Sequence, residues 1–336
     1  MKKITGINGF GRVGLHLLKY WLDRTDIANF TISYINDDTL SIQDASNIIT
    51  TDPRVVFNKY KVSISGDKLI FLKPNGVECI IQYTNEPKSR ISWLGKPDIL
   101  FECSGKNTTR KDCEGYIFEN TKLVVISATS WDADKTLIYG FNHTEFDNNL
   151  RIISYGSCTV NSCIPLANYI HKKYGIIESD ANYIHNIQEY RLKGFNSLNR
   201  KFCTLEKSGP NLLGFLNKDN FIVNYTVIPY SGVSMLDFRF KLEREISKEE
   251  FIEDLENAFS KGELKHLYDM KEIDTGPEVY NCTTYSAIFI KENIRVTKGN
   301  IYLYGYFDNE NSVNRYFDLV NYICSRDLSS QQTVSN

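Results

Sequence analysis

The residues best equipped for covalent chemistry lie in one short stretch, Tyr155-Gly156-Ser157-Cys158-Thr159-Val160-Asn161-Ser162-Cys163. It follows the apolar pair Ile152–Ile153 and precedes a helical pattern from Ile164 to Tyr174. A thiol at such a strand-to-helix turn can pack in a core, bind a metal or act as a nucleophile. The unpaired amides at a helix start favour a thiolate, which singles out Cys158. The best-placed base is His185 in Asn-Tyr-Ile-His-Asn-Ile-Gln-Glu-Tyr, on the first strand pattern after the helix. A neighbouring imidazolium lowers the thiol pKa, and the imidazole can then serve as base toward a hemithioacetal formed with an aldehyde. Free cysteines are also among the most buried residues, and strand histidines often only hold a hydrogen bond, so these two residues alone leave both readings open. Pro165 is expected early enough in the helix to be tolerated.

A second chemistry is written at the N-terminus. A strand, Lys3–Ile7, runs into Asn8-Gly9-Phe10-Gly11-Arg12-Val13-Gly14, then into a helix with Val13, Leu17, Leu18 and Trp21 on one face. A second strand, Phe30–Ile35, ends in Asn36-Asp37-Asp38. Strand, glycine-rich turn, helix, strand and an acid about 20 residues on make the dinucleotide-binding arrangement. Gly9 and Gly11 permit a tight turn and close approach to a pyrophosphate at the helix start, and Gly14 lets helix and strand pack closely. Asp37 would accept from ribose hydroxyls. With Asp38 beside it a 2′-phosphate would be repelled, so NAD is expected rather than NADP. Two further strands, Ile99–Glu102 and Leu123–Ile126, end in Cys103-Ser104-Gly105 and Ser127-Ala128-Thr129-Ser130. Small polar residues at the carboxyl ends of parallel strands are where open α/β sheets bind ligands.

These segments require an α/β, Rossmann-type parallel sheet first. Beyond Gly175 the pattern changes to long alternating runs, such as Phe238, Phe240 and Leu242 with Arg239 and Lys241 between them, or Ile301 and Leu303 with Tyr302, Tyr304 and Tyr306. They predict an α+β region with a mostly antiparallel sheet. It holds one clear helix with Ser247 as its cap, Phe251, Leu255 and Phe259 as its stripe, and Gly262 after its end. A final helix from about Asn314 to Ser325 and a disordered tail, Ser329–Asn336, are expected. At 336 residues two domains are the default. The division read here is 1–157 joined by a C-terminal helix 311–336, and 158–310. A net charge of −2 gives no hint of nucleic acid, and no apolar run approaches membrane-spanning length. The eight cysteines are scattered without a CxxC pair and histidines number five, so no metal site or disulfide framework is expected. The chain enters a strand at once without a signal-peptide core, so a reduced, cytoplasmic protein is expected.

Taken together, Gly-Ile-Asn-Gly-Phe-Gly-Arg-Val-Gly, Ile-Asn-Asp-Asp, Glu-Cys-Ser-Gly, Ile-Ser-Ala-Thr-Ser, Ser-Cys-Thr-Val-Asn, Asp-Phe-Arg-Phe-Lys-Leu-Glu and Phe-Asp-Asn-Glu resemble, in order and spacing, the glyceraldehyde-3-phosphate dehydrogenases. The resemblance covers nearly the whole chain. It implies a Rossmann cofactor domain, an antiparallel catalytic domain and a homotetramer. It implies Cys158 as nucleophile, His185 as base and Asn161 as the residue ordering their turn. It implies NAD contacts from Asn8, Gly9, Phe10, Gly11, Arg12, Val13, Asp37, Ser104, Gly105 and Ser127, with Asn309 on the nicotinamide amide. Ser157 matches the serine of the inorganic-phosphate site, with Thr159, Gln188, Arg191 and Arg200 as further substrate candidates.

Departures fall in the phosphate sites. Gln188 stands where the family carries a phosphate-binding threonine. Residues 191–220 are about a dozen fewer than in the family and lack its Thr-Gly pair. The arginine that serves both phosphate sites aligns with Val227, and an apolar residue cannot replace a bidentate anion clamp. Arg191, Lys193, Arg200, Lys201 and Lys207 in that segment form either a solvated basic face or a rebuilt anion site. The expectation is an NAD-dependent aldehyde dehydrogenase acting through a Cys thiohemiacetal and thioester on a small or anionic aldehyde. Phosphorylating glyceraldehyde-3-phosphate dehydrogenase and an NAD-binding regulator without turnover are the alternatives.

Overall fold

The computed structural model describes residues 1–187, 200–229, 233–308 and 310–332. They fall into two compact units, one of residues 1–139, 143–156 and 313–336, the other of residues 140–142 and 157–312.

The first unit starts with β1 (Lys3–Asn8), α1 (Arg12–Asp23), β2 (Phe30–Asn36), α2 (Ile42–Thr51), β3 (Lys61–Ser65), β4 (Lys68–Leu72) and β5 (Glu78–Thr84). It continues with β6 (Ile99–Glu102), α3 (Arg110–Cys113), β7 (Leu123–Ile126), β8 (Lys135–Thr136) and β9 (Ile152–Ser154). Among the described residues they form one sheet in the order β3-β4-β5-β2-β1-β6-β7-β9-β8. Only the β3-β4-β5 edge is antiparallel. β6, β7 and β9 are buried along their whole length, as strands covered on both faces must be. The chain leaves β1 toward β2 on one side and later returns to β6 on the other. That reversal is a topological switch point at the carboxyl ends of β1 and β6, the place where doubly wound sheets take ligands.

The second unit holds α4 (Cys158–Tyr174), β10 (Ile176–Asn186), α5 (Leu205–Leu212), β11 (Phe221–Ile228), β12 (Ser234–Leu242) and α6 (Lys248–Ser260). It ends with β13 (Tyr268–Lys271), β14 (Ala287–Ile290), β15 (Arg295–Thr297) and β16 (Asn300–Phe307). Its sheet is mixed. The long pairs β10–β12 and β12–β16 are antiparallel, while β10–β11 and β13–β14 are parallel. Alternation along β12 buries Leu236, Phe238, Phe240 and Leu242, and along β16 it buries Ile301 and Leu303. Ser247 caps α6 by accepting from the Glu250 amide at 3.1 Å.

Three expectations are corrected. The helix α4 begins at Cys158 itself, so Pro165 lies well past its first turn. A proline there leaves the Asn161 carbonyl without its helical donor. Tyr268 of β13 repairs the break: its hydroxyl donates to Asn161 O at 3.1 Å and accepts from Leu166 N at 3.2 Å. The last helix, α7 (Val313–Gln332), runs beyond Ser325 and takes in Ser329 to Gln332, because no glycine or proline stops it. It packs on α1 in the first unit, where Arg24 lies 3.9 Å over the Phe317 ring and pairs with Asp318 at 3.2 Å. No described helix is long and apolar enough to cross a membrane.

Candidate active site

In the first unit the glycine-rich turn is shaped by contacts that exclude side chains. Gly9 has φ +95°, and a Cβ on it would lie 2.4 Å from the Ser104 backbone. The turns after β1 and β6 therefore touch backbone to backbone. A Cβ on Gly14 would lie 2.3 Å from the Gly9 carbonyl, which seats α1 directly on the turn. At Gly11 a Cβ would meet nothing within 4 Å. Gly11 is also the N-cap of α1, which has no side-chain cap and no acid in its first turn. Open space beside an uncapped helix start fits a dinucleotide pyrophosphate.

The polar residues around that turn brace one another. Phe10 N donates to Asp37 at 2.7 Å, and Thr39 N, Thr39 Oγ1 and Leu40 N donate to its other oxygen at 2.9, 2.8 and 3.0 Å. Burial alone would raise the Asp37 pKa, but these donors outweigh it and hold the carboxylate below its ordinary range. The oxygen facing Phe10 N accepts that one bond and keeps acceptor capacity that a ribose hydroxyl could use. Asn8 is tied inward, donating to buried Glu102 at 2.7 Å and to the Tyr116 hydroxyl at 3.0 Å. Ser104 N also donates to Glu102, at 2.8 Å, and the Ser104 hydroxyl does the same. Arg12 pairs with Asp52, Val13 packs against the core, and Ser127 N bonds the Glu102 carbonyl at 2.9 Å. Gly105 has φ +68° with nothing within 4 Å of a Cβ, a second open position on the β6 turn. Asp38 pairs with Lys106 at 2.7 Å on the surface. Asn309 lies outside the described residues.

In the second unit α4 carries the thiol and β10 the imidazole. Cys158 Sγ stands 3.5 Å from His185 Nε2. Ser157 caps α4, accepting from Val160 N at 3.4 Å, and Asn161 Nδ2 donates to the Ser157 carbonyl at 2.9 Å. That pair of bonds fixes the turn on which Cys158 sits. His185 is buried, with the rings of Tyr225 and Phe307 at 5.4 and 5.5 Å. Register places Val227 of β11 directly beside it.

Burial pushes the Cys158 thiol upward, Cys203 pushes it the same way, and only the Thr159 amide pulls it down before Asp308 and Glu310 add to the rise. This reverses the sequence expectation of a lowered thiol. Desolvation of the sulfur outweighs the partial charge of one helix end. His185 Nε2, 3.5 Å away, is the side-chain group in contact with this thiol that could take its proton.

Reading the sequence by a Thr-Gly pair overlooked Thr204. It occupies the N-cap position of α5, yet its hydroxyl makes no cap bond there. Its Oγ1 instead lies 3.0 Å from Ser157 Oγ, which is 3.2 Å from Thr159 Oγ1. Three hydroxyls thus gather on the residues flanking Cys158 and on Thr204. Thr159 Oγ1 also accepts from Cys203 Sγ at 3.5 Å. An N-cap residue type just before a helical pattern was the available signal. Arg200 is committed elsewhere, bonding Glu206 at 2.9 Å and the Val223 carbonyl at 2.8 Å. Gln188 and Arg191 lie outside the described residues.

No family model matches the chain. Curated proteins do. The chain is 28% identical over 341 residues to a glyceraldehyde-3-phosphate dehydrogenase of Geobacillus stearothermophilus, covering 96% of this chain and 98% of that protein. It is 26% identical over 344 residues to glyceraldehyde-3-phosphate dehydrogenase 1 of Bacillus cereus, covering 98% and 100%. A glyceraldehyde-3-phosphate dehydrogenase of the fungus Podospora anserina matches at 28% over 345 residues, covering 96% and 98%.

Proposed function

We propose, from the premise that this chain is a divergent relative of the glyceraldehyde-3-phosphate dehydrogenases, that it is an NAD-dependent aldehyde dehydrogenase working through Cys158. The observation that carries this reading is the 3.5 Å contact between Cys158 Sγ and His185 Nε2 at the start of α4. Cys158 Sγ attacks the aldehyde carbon while its proton passes by way of His185 to the carbonyl oxygen, giving a hemithioacetal. His185 then removes the hydroxyl proton as hydride leaves the carbon, and a thioester remains on Cys158. Bound NAD supplies the hydride acceptor. The backbone of Gly9 to Val13, Asp37, Ser104, Gly105, Ser127 and Asn309 are the residues proposed to hold it. A homotetramer in the cytoplasm completes the proposal.

Val227 replaces the anion clamp with a buried apolar side chain beside His185, so the aldehyde is small and is not gripped as the family grips a phosphorylated one. A specific observation favours retention of phosphate as the acyl acceptor. The hydroxyls of Ser157, Thr159 and Thr204 lie within 3.2 Å of one another along the chain of contacts beside the thiol. Hydroxyls so gathered can donate to an oxyanion that attacks the thioester.

The test is NADH formation from glyceraldehyde 3-phosphate and from short unphosphorylated aldehydes, with and without inorganic phosphate. We expect the short aldehydes to turn over better, with phosphate raising the rate. Thr204→Val should raise the KM for phosphate about tenfold, and Cys158→Ser should abolish turnover. NADH formation by Cys158→Ser would refute the mechanism. A rate indifferent to phosphate would assign water as the acceptor.

A further inference from the structure

Cys203 has no part in the reaction above, yet the fold brings it to the nucleophile. Two contacts bracket Cys158. Its preceding residue, Ser157, touches Thr204 at 3.0 Å, and its following residue, Thr159, accepts from Cys203 Sγ at 3.5 Å. The segments 157–159 and 203–204 therefore lie side by side, with Cys203 Sγ in contact with the residue that follows Cys158. Cys203 is also the neighbouring group that acts most strongly on the Cys158 thiol. The two cysteines differ in access. Cys158 is half-buried, whereas Cys203 is 3% exposed and Cys163, further along α4, is 1% exposed.

We propose that Cys203 is a resolving thiol, which captures peroxide-oxidised Cys158 as an intramolecular Cys158–Cys203 disulfide. A hydroperoxide meets the more exposed residue, Cys158, first. Cys158 thiolate attacks the peroxide oxygen, the O–O bond breaks, and Cys158 becomes a sulfenic acid with release of water or an alcohol. The Cys203 sulfur then attacks the sulfenic sulfur. An S–S bond forms, the S–O bond breaks, and the hydroxyl leaves as water with the Cys203 proton. Two electrons in all pass from the thiol pair to the peroxide. His185, 3.5 Å from Cys158 Sγ, is placed to take the proton that frees the first thiolate. A dithiol reductant reverses the bond. The consequence is protection, because a sulfenate held in a disulfide cannot climb to sulfinic acid.

The inference rests on the reading of Cys158 as a reactive thiol, and the experiment separates the two. The whole protein is treated with hydrogen peroxide without substrate, then mapped by mass spectrometry of non-reduced peptides. A Cys158–Cys203 disulfide, with activity restored by dithiothreitol, is expected. In Cys203→Ser, Cys158 should trap dimedone and then pass to sulfinic acid, and the fraction of its own starting activity recovered by dithiothreitol should drop at least tenfold. Cys163→Ser should still form the disulfide. A dimedone adduct in Cys203→Ser with no Cys158–Cys203 disulfide in the wild type would overturn the inference alone. Absence of any oxidation at Cys158 would overturn it together with the reading of Cys158 as nucleophile.

Discussion

At the scale of single residues the governing fact is that Cys158 is harder to ionise than a free thiol. Below its raised pKa the thiolate fraction falls about tenfold for each pH unit, so an isolated thiol in this setting would be nearly inert at neutrality. In the proposed mechanism His185, 3.5 Å away, takes up the thiol proton. Alkylation of Cys158 by iodoacetamide should therefore be faster in the wild type than in His185→Gln by about tenfold or more near pH 7. The gap should close as pH rises and the thiol ionises unaided. Equal rates at pH 7 would show that the imidazole does not activate the sulfur. The same desolvation that raises the thiol also keeps Tyr225 protonated, since burial and then Cys158 push its phenol upward. The ring beside His185 is thus a neutral wall throughout the working range.

At the scale of elements, α4 is the piece on which the site depends, and it carries a break. Pro165 deprives the Asn161 carbonyl of its donor, and the Tyr268 hydroxyl serves both that carbonyl and the Leu166 amide. Leaving a buried backbone group unsatisfied costs about 1–3 kcal/mol. Tyr268→Phe should lower unfolding stability by that order in urea titration, with little change of shape in the core. Adding Pro165→Ala should restore part of the loss, because residue 165 then has an N–H for Asn161. A Tyr268→Phe midpoint equal to the wild type would refute the account. Helix α1 shows the opposite economy. It forgoes a side-chain cap, whereas α2 has a capping box of Ser41 and Asp44 and α6 is capped by Ser247. Its uncapped start lies beside Gly11, where open space fits an anion.

At the scale of the whole molecule, ionisation bounds stability on both sides. Burial would raise Asp23, Asp37 and Asp52, but hydrogen bonds and, for Asp23 and Asp52, cationic partners outweigh it and lower all three. A lowered folded pKa contributes stability above the unfolded value and loses it as pH falls through the folded value. On the alkaline side, burial pushes the thiols of Cys113 and Cys163 up to about 12. A raised folded pKa is harmless below the ordinary thiol range and erodes stability as pH rises from there toward the folded value. Thermal midpoints should therefore hold between about pH 5 and 8, fall below pH 4 and fall again above pH 9. A midpoint unchanged from pH 7 to pH 3 would contradict the carboxylate assignments.

Much of this was legible in the chain. The turn Asn8–Gly14, the strand ends at Glu102 and Ile126, and the order Ser-Cys-Thr-Val-Asn followed by His185 all express local rules. Backbone freedom, period-2 and period-3.6 alternation and helix-end electrostatics act within a few residues, so sequence shows them directly. Helix α4 starts six residues before the Ile164 that the pattern suggests, at Cys158, because Ser157 caps it there. Three things needed the tertiary structure. Thr204 joins Ser157 across 47 positions of sequence, Tyr268 reaches Asn161 across 107, and desolvation sets the sign of the Cys158 shift. Each depends on which distant groups become neighbours and how much water they displace. Sequence determined what kinds of groups this protein possesses and the elements that carry them. Packing decided which of them meet.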